Sequence, residues 1–221
     1  MTTERKPVVL LQNCAISNGG KTVLAGLDLI LQAGDFLIIE GPTGSGKTSL
    51  VRALYGHLAP SAGYGEVVGI SLRPLPTHKK PLLRRKLGVV TQQPMFLEEE
   101  SVLDNVALPL HIAGVPASEC RARGTKALLE AGLTGAALRK AHELSGGEQA
   151  RLQMARALIH SPVLLLADEP FAHLDSESVE LIESLLSFAH TRGTAIVLTT
   201  HRPTELARRA KKMTVREGRL V

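Results

Sequence analysis

The sequence predicts an α/β domain in which a mostly parallel sheet is flanked by helices. Antiparallel strands precede that sheet, and a helical insertion interrupts it. Three observations carry the prediction. Strand-like apolar runs alternate with helical patterns from about residue 147 onward, as right-handed crossovers between parallel strands require. A glycine-rich loop lies between an apolar run and a helical stretch near residue 45. Hydrophobic residues make up 44% of the chain and aromatic residues only 3%, with no Trp. The core must therefore be aliphatic, which suits parallel strands buried on both faces.

In order along the chain, residues 8–11 read as a strand and residues 22–31 as a second, ending at the turn Gln32-Ala33-Gly34-Asp35. Residues 36–40 form the strand that feeds the glycine-rich loop, and residues 49–58 follow it as a helix. Gly63-Tyr64-Gly65-Glu66-Val67-Val68-Gly69 alternates short apolar residues with glycine and predicts a hairpin. These early strands look antiparallel, apart from the one entering the loop. Residues 73–86 are basic and contain Pro74, Pro76 and Pro81; residues 81–86 suit a short helix with Pro near its start. The charges there fit a solvated face, or contact with lipid head groups or a membrane partner. Residues 87–90 are a strand that Thr91-Gln92-Gln93-Pro94 ends. Residues 101–140 turn helical, with breaks expected at Pro109, Gly114-Val115-Pro116 and Gly132. Ser101-Val102-Leu103-Asp104 has the shape of a capping box, with Asp in place of Glu or Gln. Beyond this insertion come a helix over 147–160, a strand over 163–167, a helix over 176–191, a strand over 194–199 and a helix over 203–211. A last strand over 212–215 precedes the turn Glu217-Gly218.

The 221 residues suffice for one large α/β domain or two small ones. A net charge of +5 and a pI near 9.4 fit anionic ligands, nucleic acid or a membrane surface, and a bound triphosphate would account for part of it. Cys14 and Cys120 lie far apart without metal-type spacing, as expected of small buried residues in a reduced, cytoplasmic setting. No apolar run approaches about 18 residues, and the first residues are polar. Neither a membrane span nor a secretion signal is therefore expected.

Three constellations carry chemistry. The loop Gly41-Pro42-Thr43-Gly44-Ser45-Gly46-Lys47-Thr48 fits G-x-x-x-x-G-K-[ST], a phosphate-binding loop, and Ser49 continues it into the helix. Its glycines let the backbone wrap a phosphate, and the N–H groups and helix dipole face the anion. Lys47 would reach the β- and γ-phosphates and Thr48 would ligate Mg²⁺. The second is the apolar strand ending in Asp168-Glu169, two acids at the carboxyl edge of the sheet, where open α/β sheets bind ligands. Asp168 can hold Mg²⁺, and Glu169 can deprotonate an attacking water. The third is Leu144-Ser145-Gly146-Gly147-Glu148-Gln149. Here Ser145 would N-cap a helix with Glu148 at its third position, which makes either a second anion site or simply a well-capped helix.

This last string resembles the LSGGQ signature of ABC ATPases, with Glu148 in place of the usual Gln. The order of motifs is also similar: phosphate loop, Gln92 after a strand, signature, Asp-Glu strand end, then His201 after another strand. The resemblance spans essentially the whole chain. It implies a RecA-like P-loop NTPase core with an antiparallel β subdomain and an inserted helical subdomain. Residues 1–221 would form one ABC ATPase domain, with residues 1–91 and 150–221 as the catalytic core and residues 92–149 as the helical subdomain. It also implies roles: Gln92 as the glutamine that senses Mg²⁺ and γ-phosphate, His201 as the switch histidine on the γ-phosphate, and Asp175 as the D-loop aspartate. In such proteins two copies pair head to tail. Ser145, Gly146, Gly147 and Asp175 of one copy would then close the site of the other, and a two-fold homodimer satisfies both sites at once.

Two positions depart from the family pattern. Ser17 stands where an aromatic residue often stacks on adenine, so preference for ATP is implied by the resemblance alone. Thr91 stands where an aromatic residue often precedes the glutamine. Within the family, Leu54-Tyr55-Gly56, the 83–90 run and the 104–110 run resemble the FtsE-type cell-division ATPases. Lipoprotein-releasing and macrolide-exporter ATPases share much of the same pattern. The resemblance thus implies an ATP- and Mg²⁺-dependent ATPase subunit, cytoplasmic and peripheral on the inner face of the cell membrane. Its partner would be an FtsX-like membrane protein or an ABC permease. A DNA-associated ABC ATPase is the rival from another class, but no sustained heptad run is present, and no nucleic acid is expected. A non-hydrolysing regulatory module is disfavoured by the intact set Lys47, Asp168, Glu169 and His201.

Overall fold

The computed structural model describes residues 6–201 and 204–221. The first half runs β1 (Val9–Asn18), β2 (Lys21–Leu31), β3 (Phe36–Glu40), α1 (Lys47–Leu54), β4 (Pro60–Val67), β5 (Ile70–Ser71), α2 (Lys80–Arg84) and β6 (Leu87–Val90). It continues through α3 (Val102–Ile112), α4 (Ala117–Glu130), α5 (Gly146–Leu158), β7 (Leu164–Asp168), α6 (Ser176–Thr191), β8 (Ala195–Thr199), β9 (Lys211–Arg216) and β10 (Arg219–Leu220).

Among the described residues the strands form two sheets. One is antiparallel, in the order β2-β1-β4-β5; the other has the order β10-β9-β3-β8-β7-β6. In the second sheet every pairing is parallel except the closing β9-β10 hairpin. All five residues of β7 and of β8 are buried, which explains their unbroken apolar runs. Alternation then splits these strands between two cores. Leu37, Ile39, Leu164, Leu166, Ala195 and Val197 join α1 and the antiparallel sheet; Phe36, Ile38, Leu165, Ala167, Ile196 and Leu198 join the helices α3, α5 and α6. Both clusters thus meet at the parallel sheet, and its carboxyl edge carries the loops that follow β3, β7 and β8.

The expected α/β core, antiparallel early strands and helical insertion are all present. Several boundaries differ, each for a physical reason. β1 runs on to Asn18, well past the expected residue 11. A bulge between Leu11 and Cys14, with Asn13 at φ 47°, breaks the apolar alternation without ending the strand. The expected hairpin turns at Val68-Gly69, whereas residues 63–67 lie inside β4. α1 is shorter than the expected 49–58 helix, and begins at Lys47 itself. Pro109 does not break α3: the buried stripe Val102, Val106, Ala107 and Leu110 outweighs the one backbone bond that proline forfeits. The helix expected over 203–211 reduces to a 3₁₀ turn at Glu205–Arg208, because β3 recruits Lys211 and its successors as a strand; residue 203 lies outside the described residues.

A candidate nucleotide-binding site

β3 delivers the chain to residues 41–48, which wrap the start of α1. At Gly46, φ is 111° and an added Cβ would lie 2.9 Å from Val23 Cγ1, so only glycine fits this close approach of loop and antiparallel sheet. No side chain caps α1, and its amino end stays open to an anion. Lys47 is buried; its Nζ donates to the carbonyls of Gly41 (2.7 Å) and Pro42 (3.2 Å) and lies 3.5 Å from Glu169 Oε1. Ser45 Oγ is buried and finds no hydrogen-bond partner among the described residues. An orphaned hydroxyl beside an uncapped helix start and a buried ammonium fits a phosphate group.

The sheet edge supplies the acids. Asp168 ends β7 directly opposite Thr199 of β8, and Thr199 Oγ1 donates to Asp168 Oδ1 at 2.6 Å. Both residues are buried. Glu169 follows in the left-handed region at φ 51°, its amide shared between Thr199 O (3.0 Å) and Thr199 Oγ1 (3.1 Å). Strain of this kind in a non-glycine residue persists where the surroundings over-determine it. Glu169 Oε2 lies 2.8 Å from His201 Nδ1 and accepts from the His201 amide at 3.3 Å. Lys47, Asp168, Glu169 and His201 are thus brought together, and Thr48 stands half-buried one residue from Lys47. Of the candidate metal donors, Asp168 offers a buried carboxylate and Thr48 a half-buried hydroxyl, with Gln92 outside the cluster. That set suits Mg²⁺, which keeps waters and takes the rest of its oxygens from phosphate.

Gln92 is exposed just beyond β6 and makes no hydrogen bond to this cluster among the described residues. Its neighbour Thr91 is anchored instead: Gln153 Nε2 of α5, buried, donates to Thr91 Oγ1 at 2.9 Å, and that hydroxyl donates to Gln93 O at 2.8 Å. Ser145 caps α5 as expected, accepting from the Glu148 amide at 3.3 Å, and Glu148 Oε2 accepts from the Ser145 amide at 2.8 Å. Gly147 is required where α5 meets α6, since a Cβ there would lie 2.5 Å from Ser178 Oγ and 3.0 Å from Asp175 Oδ2. Asp175 caps α6, accepting from the Ser178 amide (2.8 Å) and hydroxyl (3.1 Å), and these bonds hold its carboxyl below the usual carboxylate range. Ser145, Gly146, Gly147 and Asp175 form one patch, with no hydrogen bond or ion pair to residues 41–48 among the described residues. Thr199 and Gln153 were not singled out from sequence as site residues. Both are polar residues at apolar positions of their elements, and that mismatch is the signal each offers.

The fold and the cluster define a P-loop ATPase in which a glutamate follows a buried Asp at the sheet edge. Residues 24–172 match the ABC transporter family model, and the chain belongs to that family. It is 36% identical to the cell division ATP-binding protein FtsE of Escherichia coli K12 over 203 residues, 91% of each chain. It is 38% identical to the lipoprotein-releasing system ATP-binding protein LolD 1 of Rhodospirillum rubrum over 202 residues, 90% of this chain and 89% of that one. A dimeric structure of the bacterial ABC transporter cassette MJ0796 superposes with a TM-score of 0.88 at 30% identity, covering 96% of both chains. A second MJ0796 structure, a post-hydrolysis state bound to ADP and Pi, gives 0.87 at 30% identity over the same shares. The chain is accordingly an ATP-hydrolysing ABC protein, and no helix among the described residues is long and apolar enough to cross a membrane.

Proposed function

We propose that the chain is the ATPase subunit of an ABC-type membrane complex, FtsE-like, acting with an FtsX-like membrane protein in cell division. It would work as a head-to-tail homodimer, cytoplasmic and peripheral on the inner face of the membrane. The carrying observation is the division of the site. Lys47, Asp168, Glu169 and His201 cluster at one sheet edge, while the capped Ser145 turn stands apart from them with Gly147 and Asp175. A second copy can bring its Ser145 turn to the open face of a triphosphate held by residues 41–49.

Thr48, Asp168 and Gln92 would hold Mg²⁺, which would supply positive charge to offset that of the phosphates. Lys47, tied to Glu169 and two carbonyls, exchanges these for the β- and γ-phosphates. Glu169, released from Lys47, takes a proton from the attacking water, and His201 holds its carboxylate in line. Residues 92–149 form the helical subdomain and, with the Gln92 region, face the membrane partner. Similarity at 36–38% to both a division protein and a lipoprotein-releasing protein makes a transporter subunit of the lipoprotein-releasing or macrolide type the second reading.

The test uses Glu169→Gln with ATP. The variant should bind ATP, hydrolyse it poorly and accumulate as a dimer; hydrolysis at the wild-type rate would refute the assignment of the base. Capture from native membranes with this variant should recover an FtsX-type protein. Recovery of a lipoprotein-releasing or drug-exporting permease instead would favour the second reading.

A further inference from the structure

The Ser145 turn carries a carboxylate that an anion-binding role does not need. A helix start offers an anion roughly half a positive charge. Glu148, at the third position of α5, sets a full negative charge against it. The Ser145 amide and Arg139 both hold the Glu148 carboxyl below the usual carboxylate range, so it is ionised at neutral pH. Glutamine at this position would complete the same capping box without the charge.

Arg139 answers that charge. Its Nη1 donates to Glu148 Oε1 at 3.2 Å, while Glu148 Oε2 remains on the Ser145 amide. The other arm of the guanidinium donates to the Glu143 carbonyl, and its Nε lies 4.0 Å from the Glu143 carboxylate. The backbone beneath is clamped as well: the Val102 amide, at the start of α3, donates to Arg139 O at 2.9 Å, and Ser101 bridges Lys140. The planar fork is thus held from outside α5 and aimed at its first turn.

We propose that Arg139 is a positioning residue for the signature. By neutralising Glu148 it keeps the Ser145 turn receptive to the triphosphate bound on the partner copy, a step that rests on the shared-site reading above. The pair is partly exposed, so one copy of it gives a modest effect, but a two-fold dimer counts it twice.

The experiment is ATP-driven dimerisation, followed by sedimentation in the Glu169→Gln background at several ATP and salt concentrations. Arg139→Ala should raise the dimer dissociation constant by about 2- to 30-fold, the range of an exposed ion pair applied twice. Glu148→Gln should dimerise like its parent, and adding Arg139→Ala to it should then cost nothing. The gap between Arg139→Ala and parent should also narrow at high salt, where such pairs are screened. An equal loss from Arg139→Ala with and without Glu148→Gln would overturn the proposal, since a merely structural arginine cannot be rescued by removing the opposing charge. Because Arg139 also holds Glu143, Arg139→Lys serves as a second variant that keeps the charge; a loss as large as that of Arg139→Ala would likewise count against it. ATP binding by the monomer, measured in the same samples, separates the two levels. Intact binding with no dimer in the Glu169→Gln parent overturns the shared-site reading and this proposal together, whereas an intact dimer insensitive to Arg139 overturns this proposal alone.

Discussion

Thr199→Val isolates the hydroxyl that joins the two acids of the site. Valine matches threonine in shape, so the cavity and the strand propensity of β8 are preserved. What disappears is the donor to Asp168 Oδ1 at 2.6 Å and one of two acceptors for the Glu169 amide. That amide keeps Thr199 O at 3.0 Å, so the main loss falls on Asp168, which is 3% exposed and cannot turn to water. Losing a hydrogen bond to a buried charged group costs about 1.5–3 kcal/mol. For a chain of this size that is a fall in melting temperature of about 3–12 °C. The same change loosens Glu169, the proposed base, and a misplacement on the order of 1 Å can lower turnover by about a hundredfold. Urea melts without nucleotide and steady-state phosphate release measure the two effects. The urea midpoint should fall with an unchanged slope, kcat should fall more than ATP affinity, and Thr199→Ser should stay close to wild type. A valine variant that melts and turns over like wild type would show that the hydroxyl neither stabilises Asp168 nor aims Glu169.

Other perturbations separate binding, closure and stability. Lys47→Ala should lose ATP affinity by titration calorimetry, and unchanged affinity would refute the phosphate-loop reading. Gly147→Ala must push Ser178 and Asp175 aside, an overpacking cost of about 1–3 kcal/mol; ATPase activity should drop while monomer ATP binding holds, and full activity would mean α5 and α6 need not approach so closely. Asn105→Leu removes a fully buried amide that bonds Leu97 N and O, Glu100 O and Ser101 O, so it should cost about 1–3 kcal/mol and expose residues 97–101 to proteolysis; a resistant loop in the variant would argue against the anchor. Glu148 is more acidic folded than unfolded, so its stabilising effect is present above the unfolded value near 4.3 and is lost as pH falls through the lower folded value. Glu148→Gln should therefore flatten the acid limb of the melting temperature against pH below about 4.5, and parallel limbs for the two proteins would contradict that shift.

The residues that would touch a nucleotide were legible because their chemistry dictates their spacing. Residues 41–48 announce a phosphate cradle, and an apolar run ending in Asp168-Glu169 announces a buried strand with acids at its tip. Elements with strong periodicity were legible for a related reason: β3, β6 and α6 occupy the residues their patterns predict. Local signals failed where tertiary pairing overruled them. Pro109 reads as a breaker until α3 is seen to bury one whole face, and residues 208–211 read as helix until β3 offers Lys211 a strand partner.

What the sequence hid most completely is the set of residues that aim the others. Thr199, Gln153 and Asn105 are buried and polar, and each bonds to a backbone group or side chain far from it in sequence or on another element. Such partners stand at no fixed spacing from the residue that binds them, so no short motif encodes the pair. Yet a buried amide or hydroxyl is costly unless satisfied, and so each of these residues pins a loop wherever it finds its bonds. Thr199 pins the acids, Gln153 pins Thr91 next to Gln92, and Asn105 pins residues 97–101 to α3. Two of the three thereby tether the stretch from Thr91 to Ser101 to α3 and to α5, which starts at the Ser145 turn. If a membrane partner moves that stretch, the movement reaches the signature through bonded groups of α3 and α5. Gln153→Leu, which cuts one tether without touching any nucleotide-facing residue, should leave basal ATP hydrolysis intact and reduce its stimulation by the reconstituted membrane partner. Equal stimulation of wild type and variant would place the transmission elsewhere.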